Sequence, residues 1–181
     1  MIIAFSGRRG NGKTAAAKYL EKNYAFKTAS FATPLKEMAE QMFPGISKAN
    51  KEEKFLGFEW TPRQFYIALG GFMRYWDEDY WVNKLLLNLP RGKYVVIDDL
   101  RFKNEAKILR SMGTYITRLN RCDKDRPYPY DAEIDNDISE TNLNDFTFDE
   151  TFHEFENNTL KVLHTRLDKL MKDLGVKKID G

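Results

Sequence analysis

The chain has 181 residues, 42% of them hydrophobic and 14% aromatic, with 29 Lys+Arg against 27 Asp+Glu and a formal net charge of +2. That size suits one domain with a proper core, and that composition excludes a disordered chain. Charge balance excludes an overall pull toward nucleic acid or membrane, the single cysteine Cys122 excludes an internal disulfide, and no apolar run reaches the roughly 20 residues of a membrane span.

Met1 to Phe5 is wholly apolar and reads as a strand buried on both faces of a parallel sheet. A strand at the amino terminus leaves no room for a signal peptide, so a cytoplasmic location is expected (the host cytoplasm if the chain is viral). Thr14 to Lys22 reads as a helix and "FKTASFA" at 26–32 as a second strand. Thr33-Pro34 supplies an N-cap and a proline at the first helical position. Residues 44–58 read as a loop or broken helix. Thr61-Pro62-Arg63-Gln64 carries a capping box and opens a helix to about Trp76, and another helix is expected from Tyr80 to Leu89. "KYVVI" at 93–97 is an apolar strand ending at Asp98-Asp99, Asn104 to Met112 a helix closed by Gly113, and "TYITRL" at 114–119 the next strand. A charged, proline-interrupted loop or flap follows at 120–130, and the stretch from Pro127 to Leu160 has no Lys or Arg. "FTFDETF" at 146–152 is a candidate strand, and Leu160, Leu163, Leu167, Leu170, Met171 and Leu174 describe an amphipathic helix stopped by Gly175. Alternating strands and helices predict a doubly wound α/β domain with a mostly parallel sheet.

Gly7-x-x-x-x-Gly12-Lys13-Thr14 matches the Walker A phosphate loop, and it sits where that loop's mechanism demands, after a strand and before a helix. Its amides and the helix dipole would cradle phosphates. Lys13 would reach the β- and γ-phosphates, and the Thr14 hydroxyl would ligate Mg²⁺. "VVIDD" offers the second acid for the metal, without saying which of Asp98 and Asp99 faces it. On the helix 61–76, Arg63, Ile67, Gly70 and Arg74 form one stripe, with Phe65, Leu69, Phe72 and Trp76 as the expected core face. Gly70-Gly71 costs helix propensity of roughly 1 kcal/mol each, which suits a close approach to the backbone by a bound anion or a crossing helix. Arg101, Arg121 and Arg126 follow strand ends, where α/β sheets bind ligands. An arginine-rich phosphate site with a flap to exclude water suits phosphoryl transfer.

The set "GRRGNGKT", "SFATPLKE", "TPRQFYIALGGFMRYWDEDYWV", "VVIDDLRFKNEA" and "ISET" resembles the deoxynucleoside monophosphate kinases of bacteriophages, over the chain to about residue 165. The resemblance implies a P-loop three-layer α/β/α fold with a helical NMP-binding region at about 34–90 and a lid-like flap at about 120–142. It implies transfer of the ATP γ-phosphate to a deoxynucleoside 5′-monophosphate (dNMP), in viral nucleotide metabolism, with Mg²⁺ and without a nucleic acid polymer or membrane as partner. Carried over, Gly10, Asn11, Gly12, Lys13, Thr14 and Ala15 bind ATP, and Thr14 and Asp99 hold the metal. Lys36 and Arg74 meet the acceptor phosphate; beside what the resemblance carries over, Arg8 in the loop and Arg63 on the helix stripe are candidates for the acceptor side. Trp81 lines the base pocket and Glu140 is an acceptor-side contact. Lys13, Asp99 and Arg101 form the reaction centre, with Arg121 and Arg126 as lid arginines. Two places depart from the family pattern: Asp137 stands where His is expected, and "ENNTL" at 156–160 is shortened. Two other functions fit the loop: a nucleotide switch with slow hydrolysis, or a small-molecule kinase of the same fold. An aromatic-rich segment such as 65–81 serves core or interface equally, so a homodimer is left open.

Overall fold

The computed structural model describes residues 1–121, 132–152 and 160–179. Its contacts divide the chain into two compact units, one formed by Met1–Ser30 with Pro90–Gly181 and the other by Phe31–Leu89.

The first unit is built on a five-stranded sheet of β1 (Ile2–Ser6), β2 (Lys27–Ala29), β3 (Val95–Leu100), β4 (Tyr115–Leu119) and β5 (Glu150–Phe152). The order is β2-β3-β1-β4-β5, and every neighbouring pair is parallel. The connection leaving β1 runs to one side of the sheet and that leaving β4 to the other. The carboxyl ends of β1 and β4 thus form a switch point, where open α/β sheets bind ligands. α1 (Lys13–Tyr24) and α8 (Leu160–Asp173) cover one face. There Leu20, Leu163, Leu167, Leu170 and Met171 pack on Ile3, Phe5, Val96 and Leu119. Each such side chain contributes about 1.5–3 kcal/mol by leaving water. The remaining helices are α5 (Lys103–Ser111) and the short α6 (Ala132–Asp135) and α7 (Ile138–Thr141). This is the α/β architecture expected.

The second unit holds α2 (Ala32–Met42), a 3₁₀ turn (Ile46–Lys48), α3 (Pro62–Trp76) and α4 (Tyr80–Leu87). Ala39, Ile46, Phe55 and Leu69 form its core, with Leu35, Phe43, Trp60, Phe65, Tyr66 and Met73 packed around them. The Glu40 carboxylate accepts from the Gly45 and Ser47 amides at 2.7 and 2.9 Å, and those bonds hold it down to about 2. The Thr61–Gln64 capping box forms as the sequence predicts.

Three expectations are corrected. Thr33 does not cap α2, because Phe31 is the N-cap residue and Thr33-Pro34 lies inside the first turn. Proline fits there because amides of the first turn have no intrahelical partner. β3 runs through Asp98 and Asp99 to Leu100 instead of ending at them. On α3, Phe72 and Trp76 are not core residues but 59% and 72% exposed. The Trp81 indole N–H donates to Gly70 O at 3.1 Å, which turns Gly70 inward. A residue two positions along a helix lies about 200° round, so Phe72 faces outward. Among the described residues no helix is long and apolar enough to cross a membrane.

Candidate active site

The site of the first unit begins with a close approach. β1 delivers Gly7 with φ +132°, and a Cβ there would lie 2.2 Å from Leu119 O on β4. Only glycine meets both demands. Asn11 is buried, and its Nδ2 donates to the same carbonyl at 2.7 Å. The loop is thereby pinned to the end of β4. Gly10 and Gly12 also have positive φ, after which α1 starts at Lys13.

Lys13 is 8% exposed and its Nζ donates to Gly7 O and, at 2.9 Å, to Arg8 O. Burial first, then the charge of Arg101, pulls its ammonium down to about 7, against opposing pulls from Glu140, Asp99 and Asp98. Phosphate oxygens would restore that charge. The Thr14 hydroxyl donates to Asp98 Oδ2 at 2.9 Å, whereas Asp99 accepts from the Ser30 hydroxyl at 2.6 Å. The two acids take these different partners where β3 shifts register against β1, between the Ala4–Ile97 and Ser6–Leu100 pairs. The carboxylate beside Thr14 is therefore that of Asp98, not the expected Asp99. Burial and then the neighbouring Asp99 raise the Asp98 carboxyl above its ordinary range.

Arginines converge on the same end of the sheet. Arg121 Nη1 donates to Gly10 O at 3.0 Å. Arg101 Nη1 donates to Ser139 O at 3.1 Å and pairs with Glu140 Oε1, while Glu140 Oε2 accepts from the Arg9 amide at 2.8 Å. Glu140, expected on the acceptor, thus has both oxygens on protein donors. Arg126 lies outside the described residues. Arg8 supplies a carbonyl to Lys13 and a like charge near Arg118. Ala15 packs against the core at the start of α1.

Residues to which the sequence assigns no role complete the frame, Glu105 of the "DLRFKNEA" stretch among them. Buried Glu105 accepts from the Arg101 and Phe102 amides, each at 3.0 Å, capping α5 and fixing the backbone that carries Arg101. Its signal was a Glu at the third position of the helix after "DDLRF". Arg118 donates to Asn120 Oδ1 at 3.1 Å and to Leu143 O and Asn144 Oδ1, each at 2.9 Å. A lone cation inside "TYITRL" was its signal. Burial, then Arg8, lowers its pKa. Ser6, Arg101, Arg118, Ser139, Glu140 and Asn144 line a small polar pocket beside Gly7.

In the second unit Arg63 holds Glu52 through Nε and Nη2, with Nε at 2.9 and 3.0 Å from the two oxygens. Lys36 is exposed, and with Arg63 it lies close enough to Lys51 to lower that ammonium's pKa after burial does. Lys51 was not noticed in the sequence. Arg74 lies along its own helix, its Nη1 3.2 Å from where a Cβ on Gly70 would stand, and a Cβ on Gly71 would meet nothing beyond its own helix backbone within 4 Å. Gly70 therefore makes room for the Arg74 side chain; the structure gives no other reason for the pair. Trp81, expected at the base pocket, is 1% exposed and bonded to the Gly70 carbonyl, so it has a packing role of its own. Trp81→Phe is expected to lower stability by about 1–2 kcal/mol in urea unfolding, because the Gly70 carbonyl loses its buried donor. A changed acceptor KM at unchanged stability would favour the pocket role over the packing role.

Among the described residues no three or more His, Cys, Asp or Glu side chains cluster as a metal site. The hydroxyl–carboxylate pair Thr14/Asp98 does fit Mg²⁺, which is commonly held by one or two carboxylates together with substrate phosphates.

No protein-family model matches the chain. A protein of Acanthamoeba polyphaga mimivirus, described as a "Putative deoxynucleotide monophosphate kinase", is 28% identical over 159 residues, covering 74% of this chain and 82% of that one. The solved structure of the Deinococcus radiodurans tunicamycin resistance protein matches 99% of this chain and 98% of its own, with a TM-score of 0.50 at 13% identity. That likeness concerns the fold alone. The chain has a P-loop α/β fold.

Proposed function

We propose that the protein is an ATP-dependent phosphotransferase that moves the γ-phosphate of ATP to a deoxynucleoside 5′-monophosphate. The observation that carries the nucleotide half is the group formed by Lys13, the Thr14–Asp98 pair and Arg101 at the head of a parallel sheet. The acceptor half rests on the mimivirus relative and on the "DLRFKNEA" resemblance.

In this reading the amides of Gly10 to Ala15 bind the ATP phosphates. Mg²⁺, held by Thr14 and Asp98, would neutralise charge on the β- and γ-oxygens. An oxygen of the acceptor phosphate attacks the γ-phosphorus in line as the bond to the β,γ-bridging oxygen breaks, and ADP leaves with the electron pair. That oxygen is already ionised at neutral pH, so no strong general base is needed. Lys13, Arg101 and Arg121 meet the charge on the moving group. Lys36 and Arg74 are the residues proposed for the acceptor phosphate.

The test is coupled ADP release with Mg·ATP across a panel of dNMPs and NMPs. At least one dNMP is expected to raise the rate by two orders of magnitude or more, roughly the gap between adventitious hydrolysis and a working kinase. Asp98→Asn is expected to raise the Mg²⁺ requirement more than Asp99→Asn does. ADP release that ignores every monophosphate would overturn the kinase reading in favour of a slow switch.

A further inference from the structure

Residues 137–144 reach three of the strand ends that carry the site. Asp137 Oδ1 accepts from the Ser139 amide at 2.8 Å and starts α7. Asn142 Oδ1 accepts from the Lys103 amide at 2.7 Å, at the start of the helix after β3. Leu143 and Asn144 accept from Arg118 on β4. Glu140 stands in the middle of this segment with its side chain 6% exposed.

A carboxylate so withdrawn from water needs its oxygens satisfied, ideally by charged donors. Glu140 meets that need with two donors from different strand ends. Oε2 accepts from the Arg9 amide in the loop after β1, and Oε1 pairs with Arg101 after β3. One side chain therefore spans the phosphate loop and the arginine at the reaction centre. An anion this near bound phosphates would repel them, but the ion pair with Arg101 cancels the charge. What remains is geometry.

We infer that Glu140 is a positioning residue: it holds the Arg101 guanidinium at a set place against the Arg9 end of the phosphate loop. The use of that placement rests on the phosphoryl-transfer reading above; the strut itself does not. Aspartate keeps the charge but is one methylene too short to meet both donors. Glutamine keeps the length, but presents an NH₂ to one of two donors and loses the charge.

Glu140→Gln and Glu140→Asp are compared with wild type by two measurements. Amide exchange at Arg9 is expected to speed up about tenfold or more in both variants, with the amides of α1 unchanged as a check on folding. In steady-state kinetics with the best acceptor, kcat is expected to fall about 10- to 100-fold, while KM for ATP and acceptor stays within about threefold. Unchanged Arg9 exchange would overturn the strut. Near-normal kcat in Glu140→Asp would show that charge and not reach matters, and a raised acceptor KM at constant kcat would make Glu140 an acceptor contact; either overturns the inference. A wild type that transfers phosphate to no nucleotide overturns the kinase reading instead, and Arg9 exchange still decides the strut.

Discussion

Lys13→Met lowers turnover by about two orders of magnitude or more, and leaves a folded protein. Lys13 sits almost wholly out of water, held by two loop carbonyls, and burial already pulls its ammonium down to about 7. A site that buries a cation against its own solvation, with Arg101 adding repulsion that Glu140, Asp99 and Asp98 do not fully offset, gains most from the cation when a further anion arrives. Methionine fills similar volume without charge, so the fold has little reason to suffer. Stopped assays with the best acceptor measure the loss, and a urea curve close to wild type separates it from unfolding. Near-normal turnover would remove the phosphate role from Lys13 and with it the assignment of the loop.

How much of this was legible in the sequence depends on the range of the interaction concerned. The apolar runs at Met1–Phe5 and 93–97 and the Gly-Lys-Thr after the first of them are local patterns, and they gave the sheet and the loop. The Thr61–Gln64 box is local too, and it forms. The choice between Asp98 and Asp99 needed the strand's register, which depends on pairing with β1 and β2. The outward turn of Phe72 and Trp76 on α3 needed the contact of Trp81 with Gly70, eleven residues away. Glu140 meets the Arg9 amide across 131 residues, from a helix of four residues, too short for any period to announce. Its two-sided role has no local signature at all.

Gly7→Ala tests the pinning of the loop directly, and the two other glycines serve as its scale. At Gly7 the added methyl would stand 2.2 Å from Leu119 O at φ +132°. The obstacle is backbone in a buried parallel strand, so it cannot swing aside as a side chain would. The strain and the lost Asn11–Leu119 bond together are expected to cost about 2–4 kcal/mol in urea unfolding. Nucleotide affinity should fall about tenfold or more, because every downstream amide of the loop shifts. At Gly12, with φ +86°, the methyl would meet only Leu163 Cδ2 at 3.5 Å, an ordinary contact. Gly12→Ala should therefore show the smaller cost of a left-handed alanine, about 1–2 kcal/mol. A Cβ on Gly71, inside α3, would meet nothing beyond its own helix backbone within 4 Å, so Gly71→Ala should stabilise by about 1 kcal/mol. Equal losses at Gly7 and Gly12 would mean that backbone conformation alone matters. A larger loss at Gly7 assigns the difference to the carbonyl of Leu119, and so to the seam between β1 and β4 on which the phosphate loop is hung.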